Sequence, residues 1–145
     1  MSSSIEKSKR ILVVDDEVDV LEFLRIFLES LGWEVTTVDT TERAFEELES
    51  KPYFLVLTDI AMPDMDGYEF INKIKEKKYG CQIALMTGFG YNPKHTLVKI
   101  YKTIRYPCLF KPFNRAKVTE AVNNAFHVYH NESKAAQDTD EESQD

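Results

Sequence analysis

Phe54-Leu55-Val56-Leu57-Thr58-Asp59-Ile60-Ala61-Met62-Pro63-Asp64-Met65-Asp66-Gly67 is the stretch whose reading decides the fold. Phe54 to Leu57 run without polar alternation and deliver one carboxylate, Asp59, where the run stops. Unbroken apolar runs mark strands covered on both faces, the habit of parallel sheets. Ligands of such sheets bind beyond the carboxyl ends of the strands. Asp59 therefore stands where chemistry is expected. Pro63 stiffens the turn that follows, and Gly67 closes it.

Toward the N-terminus, Ile11-Leu12-Val13-Val14 reads as a first strand ending in Asp15-Asp16-Glu17. Leu21, Leu24, Leu28 and Leu31, spaced by three and four, predict a first helix with one core-facing stripe, ended by Gly32. Trp33 to Val38 reads as the second strand. Asp39 with Glu42 has the form of a capping box opening a second helix, with Ala44, Phe45 and Leu48 inward. Tyr53 to Thr58 is the third strand.

Toward the C-terminus, Asp66 and Gly67 open a third helix with Phe70, Ile71 and Ile74 inward. Gln82 to Met86 makes a fourth strand that delivers Thr87, followed by a mobile Gly88-Phe89-Gly90. Asn92-Pro93 predicts the start of a short basic fourth helix. Cys108-Leu109-Phe110 reads as a fifth strand ending in Lys111. Asn114 caps a last helix with the stripe Val118, Ala121, Val122, Ala125 and Phe126.

Alternating strands and helices make an α/β doubly wound fold, a five-stranded parallel sheet with five helices. Right-handed crossovers leave few topologies, and the flavodoxin-like order 2-1-3-4-5 suits this length. Its switch point lies between the first and third strands, which places Asp15, Asp16 and Asp59 together. At 145 residues the chain holds one domain with a sizeable core. The domain organisation reads as a flexible N-terminus over 1–8, the folded domain over 9–130, and an acidic disordered tail over 131–145. The tail reads as solvated and solubilising, with a second reading in which it folds back over basic residues. From Lys77 to Thr119 there is no Asp or Glu, a segregation that marks a partner-facing surface. No apolar run approaches the roughly 20 residues that span a bilayer. No secretory h-region opens the chain, and Cys81 and Cys108 lack disulfide-scaffold or zinc spacing, so a cytoplasmic setting is expected.

Three carboxylates crowded at one sheet edge repel one another and need a cation. Oxygen ligands in that number suit Mg²⁺, which binds through one or two carboxylates plus waters and phosphate oxygens. A metal-neutralised Asp can also attack phosphorus and form an aspartyl phosphate. The phosphoryl oxygens then need positive charge, from Lys111, and a hydrogen-bond donor, from Thr87. Taken singly, Asp15-Asp16 reads as a helix cap, Thr87 as a turn residue and Lys111 as a solvated end charge. At consecutive strand ends of one sheet they read as a site.

Val13-Val14-Asp15-Asp16-Glu17, the run from Thr58 to Gly67, Met86-Thr87-Gly88 and Phe110-Lys111-Pro112-Phe113 resemble the receiver domain of two-component response regulators. The resemblance covers Arg10 to about Tyr129. It implies that Asp59 accepts a phosphoryl group from a phosphohistidine on a sensor histidine kinase or histidine phosphotransfer protein. It implies further that Asp16, Asp59 and the Ala61 backbone carbonyl bind Mg²⁺, with Asp15 acting through water. Thr87 and Lys111 would contact the phosphoryl group, and Lys111-Pro112 would be a cis peptide.

Two departures from the pattern bear on output. Three residues before Lys111 the family carries an aromatic or His, and here stands Cys108, read as a small buried hydrophobe. Thr103-Ile104-Arg105-Tyr106-Pro107 replaces the family's Gly-Ala-Asp stretch. The expected function is a single-domain receiver that signals through protein contact at the fourth helix, fifth strand and fifth helix. It is not expected to be an enzyme, nor to bind nucleic acid or membrane. Alternatives are a binding module with weakened switching and a receiver cut from a larger regulator or hybrid kinase. An aspartyl-phosphate phosphatase is disfavoured because Ala61 stands where the second catalytic acid would be.

Overall fold

The computed structural model describes residues 8–62, 65–88 and 106–143. The chain runs β1 (Arg10–Val14), α1 (Val18–Ser30), β2 (Glu34–Val38), α2 (Thr41–Ser50) and β3 (Leu55–Asp59). Next come the two-residue strands β4 (Ala61–Met62) and β5 (Met65–Asp66), then α3 (Gly67–Lys77), β6 (Gln82–Thr87), β7 (Cys108–Phe110) and α4 (Arg115–Ser143). Five strands pair in parallel in the order β2-β1-β3-β6-β7, the expected order. β4 and β5 form a separate antiparallel pair over the turn after Asp59. The fourth predicted helix and Phe89-Gly90 lie outside the described residues.

The unbroken apolar runs are explained by two cores, one on each face of the sheet. Within β1, Ile11 and Val13 join the core under α1 and α4, while Leu12 and Val14 join the core under α2 and α3. Leu55 and Leu57 of β3 take the first side and Val56 takes the second. Successive side chains of a strand point to opposite faces, so a strand covered twice must be apolar at every position. Each such buried side chain stabilises the fold by roughly 1.5–3 kcal/mol. Phe54 packs at ring-centroid distances of 5.0 Å from Trp33 and 5.1 Å from Phe126, joining the end of α1, β3 and α4.

α1 ends as Gly32 predicts. Gly32 has φ +97°, its N–H donates to Glu29 O at 3.0 Å, and the Trp33 N–H donates to Leu28 O at 3.2 Å. This is a Schellman closure, which needs the left-handed residue that glycine supplies. It also corrects the stripe: Leu24 and Leu28 are buried, but Leu31 is the C-cap residue and is exposed. α2 corrects its cap. Thr40 holds that position, its hydroxyl accepting from Arg43 N at 3.1 Å, so Asp39 and Glu42 do not form the box. Asn114 does cap the last helix, accepting from Lys117 N at 3.1 Å. Phe70, Ile71 and Ile74 of α3 are buried as expected.

The chain ends also differ from expectation. Ser8 is buried, its hydroxyl donating to Pro52 O at 2.8 Å and accepting from Arg10 N at 3.0 Å, so the body begins one residue earlier than expected. The unstructured tail expected from Asn131 is instead helical to Ser143. After Pro112 there is no Gly or Pro to stop the helix, and Glu, Lys, Ala and Gln follow Asn131. Among the described residues no helix is long and apolar enough to cross a membrane.

Gly67 opens α3 against the chain leaving β3. A Cβ placed there would stand 2.6 Å from the Ile60 carbonyl oxygen and 2.8 Å from the Ile60 Cα. Both are backbone atoms that cannot turn aside. Gly67→Ala is expected to destabilise the fold by about 1–3 kcal/mol, as overpacked interiors do. Urea denaturation checks this, and an unchanged midpoint would contradict the close approach.

Candidate functional site

The sheet brings its chemistry to one edge through backbone register. Asp15 follows β1, with its N–H donating to Val38 O at 3.2 Å. Asp59 ends β3 opposite Met86, and Ile60 N donates to Met86 O at 3.0 Å. Thr87 ends β6, buried, and accepts the Lys111 N–H at its carbonyl, 2.9 Å away. These bonds are extensions of the sheet ladder, so the functional side chains inherit its rigidity.

Lys111 is the centre of the site. Its ammonium lies 2.7 Å from Asp15 Oδ2, 2.9 Å from Asp59 Oδ2 and 3.2 Å from Glu17 Oε1. The Lys111-Pro112 peptide is cis, as the resemblance implies. The Asp15 side chain has no solvent exposure and that of Asp59 only 6%, whereas that of Glu17 is 58% exposed. Asp15 Oδ1 also accepts the Glu17 N–H at 2.9 Å, so the Asp15-Asp16 pair does not cap α1. Glu17 itself takes the N-cap position without a side-chain capping bond.

Carboxylate oxygens of Asp15, Asp16, Glu17 and Asp59 all lie within 4.8 Å of one another. Four carboxylates thus converge, three of them on the Lys111 ammonium, and hard oxygen donors of this kind fit Mg²⁺. Ala61, the remaining predicted ligand, lies in β4 opposite Asp66, two residues past Asp59. Glu17 is the site residue to which sequence reasoning gave no role. Its signal was adjacency alone, third in the acidic run after β1.

Burial pushes the Asp15 carboxyl up to about 6, with its hydrogen bonds to Lys111 and Glu17 N opposing and the Asp59 charge adding. Burial alone would lower Lys111, but hydrogen bonds to Asp15 and Asp59 and their charges outweigh it and raise its pKa. Burial also lifts the Cys108 thiol to about 11, so this half-buried residue carries no thiolate near neutrality. Like Tyr106, it packs against the core under α2 and α3.

The response regulator receiver domain model matches residues 11–123, and the chain belongs to that family, a signalling module of two-component systems. Among curated relatives, the response regulator receiver protein CpdR of Brucella abortus is 42% identical over 82 residues, covering 57% of this chain and 68% of CpdR. The transcriptional regulatory protein FixJ of Bradyrhizobium diazoefficiens is 30% identical over 115 residues, covering 79% of this chain and 55% of FixJ. The chain therefore spans little more than half of that longer relative. The crystal structure of a CheY-like receiver domain protein from Methanospirillum hungatei superposes with a TM-score of 0.78 at 28% identity, covering 87% of this chain and 99% of the other.

The raised pKa of Asp15 has a stability consequence with a definite sign. Between the ordinary value of 3.8 and about 6, the folded chain holds a proton that the unfolded chain has released. Folding stability from this group is full at low pH and is lost as pH rises through that window. Asp15→Asn, measured without divalent cations, is expected to be more stable than wild type at pH 7.5 by about 1–3 kcal/mol. The gain should vanish toward pH 4. Urea unfolding at both pH values checks this, and a destabilised Asn variant at pH 7.5 would show that the Lys111 pair outweighs burial.

Proposed function

We propose that the chain is a phosphorylation switch in which Asp59 accepts a phosphoryl group from a phosphohistidine. The observation that carries this reading is the Asp59 carboxylate, buried at a strand end and held 2.9 Å from the Lys111 ammonium. An Asp59 oxygen attacks phosphorus, the P–N bond to the donor imidazole breaks, and its electron pair leaves on nitrogen, which is protonated. An acyl phosphate remains on Asp59. Lys111 turns toward the phosphoryl oxygens, and the Thr87 hydroxyl, at the next strand end, donates to them. Asp15, Asp16, Asp59 and the Ala61 carbonyl would hold Mg²⁺, which neutralises carboxylate and phosphoryl charge when bound.

The donor on this reading is a sensor histidine kinase or histidine phosphotransfer protein in the cytoplasm. The output is contact with a downstream protein, and Phe110 of β7, 63% exposed, offers an apolar anchor on the output face. A weakened switch is the second reading, favoured by Cys108, which has no ring to move between positions. Tyr106, on the same core, is the residue that would move in its place.

Incubation with acetyl phosphate, with and without Mg²⁺, tests the reading by intact mass. Wild type is expected to gain one phosphoryl group only when Mg²⁺ is present, and Asp59→Asn to gain none. A phosphorylated Asn variant would refute the assignment.

A further inference from the structure

Lys111 is already held by three carboxylates in the resting site. An ammonium has three protons and no acceptor; among the described residues the carboxylates of Asp59 and Glu17 accept two of them, and Asp15 Oδ2 stands 2.7 Å away as a charge partner. An anion arriving at Asp59 competes with these contacts for the ammonium. The three are not equivalent. Asp15 is fixed by the Glu17 N–H and has no solvent exposure, and Asp59 is the group being modified. Glu17 is the longest contact at 3.2 Å and the one whose carboxylate water can take over. Its side chain makes no capping bond to α1, so it is committed to Lys111 and to solvent.

We propose that Glu17 is a positioning residue, a releasable acceptor that parks the Lys111 ammonium in the resting site and lets go when an anion occupies Asp59. The inference rests on the reading of Asp59 as the phosphoryl acceptor. Glu17 also lines a cavity of about 520 Å³ with Asp19, Phe23, Lys111 and Phe113, so the contact opens toward free space and not into the core. Releasing it therefore costs little rearrangement. The contact tunes occupancy of the anion-bound form without touching the anion.

Asp19 provides the control, since it lines the same cavity and carries the same charge but is not an acceptor of Lys111. Beryllofluoride with Mg²⁺ is the probe, titrated into wild type, Glu17→Gln, Glu17→Ala and Asp19→Asn, with affinity read from the amide shifts of Thr87 and Lys111. Opening an exposed ion pair in advance is expected to tighten binding about two- to fivefold. Glu17→Ala should bind tightest, with Glu17→Gln between it and wild type because its amide oxygen still accepts. That order should persist at high salt, where long-range charge effects are screened. Asp19→Asn should show a smaller effect that fades. Equal gains for Asp19→Asn and Glu17→Gln would reduce Glu17 to a through-space charge and overturn the proposal. Weaker binding by the Glu17 variants would overturn it in favour of a metal-ligand role. Failure of wild type to bind the probe would overturn the phosphorylation reading, and the positioning role with it.

Discussion

Everything at the working edge depends on one ammonium meeting two buried carboxylates. Lys111 reaches Asp15 at 2.7 Å and Asp59 at 2.9 Å, and these three residues come from the ends of three different strands. None of them tolerates burial alone, because an unpaired charge out of water costs several kcal/mol. The pairing therefore requires the ends of β1, β3 and β7 to stay level. The strand order supplies this, since β1 and β3 are neighbours and β6 bridges β3 to β7. A buried pair need not add net stability. Here its role is to fix position, with the two hydrophobic cores supplying the stability that holds it.

Those cores explain what was legible in the sequence. Phe54 to Leu57, Ile11 to Val14 and Ile83 to Met86 face apolar surroundings on both sides, so polar residues are excluded from each run and the strands stand out. The candidate site was legible for the same reason: its carboxylates, threonine and lysine stand where such runs stop. Helix ends were harder. Asp39 and Thr40 are both good capping residues one position apart, and only the backbone conformation at Thr40, φ −139° and ψ 156°, chooses between them. Leu31 keeps the spacing of its stripe, yet the closure at Gly32 removes it from the last turn.

Glu17 was hidden by a different effect. Acidic residues beside a helix start are ordinary, and no sequence pattern separates one that complements the helix dipole from one turned toward a lysine on a distant strand. The tail was missed because loss of apolar periodicity signals the loss of a buried face, not of helical backbone. Asn131 to Ser143 continue α4 on local propensity after the packing of Phe126 and Tyr129 ends.

That continuation has a geometric outcome. α4 begins just past Lys111 at the carboxyl edge of the sheet and reaches the opposite edge, where Gln82 Nε2 donates to Glu132 Oε2 at 2.9 Å. At about 1.5 Å per residue its 29 residues extend roughly 43 Å, more than twice the span of a five- or six-residue strand. The surplus carries the helix axis on past the strand ends. Helical, it cannot fold back over Lys117, since Asp138 lies roughly 32 Å further along the axis. Whatever grips the acidic end grips a rod stepped beside the carboxylate-lined edge and aimed away from it.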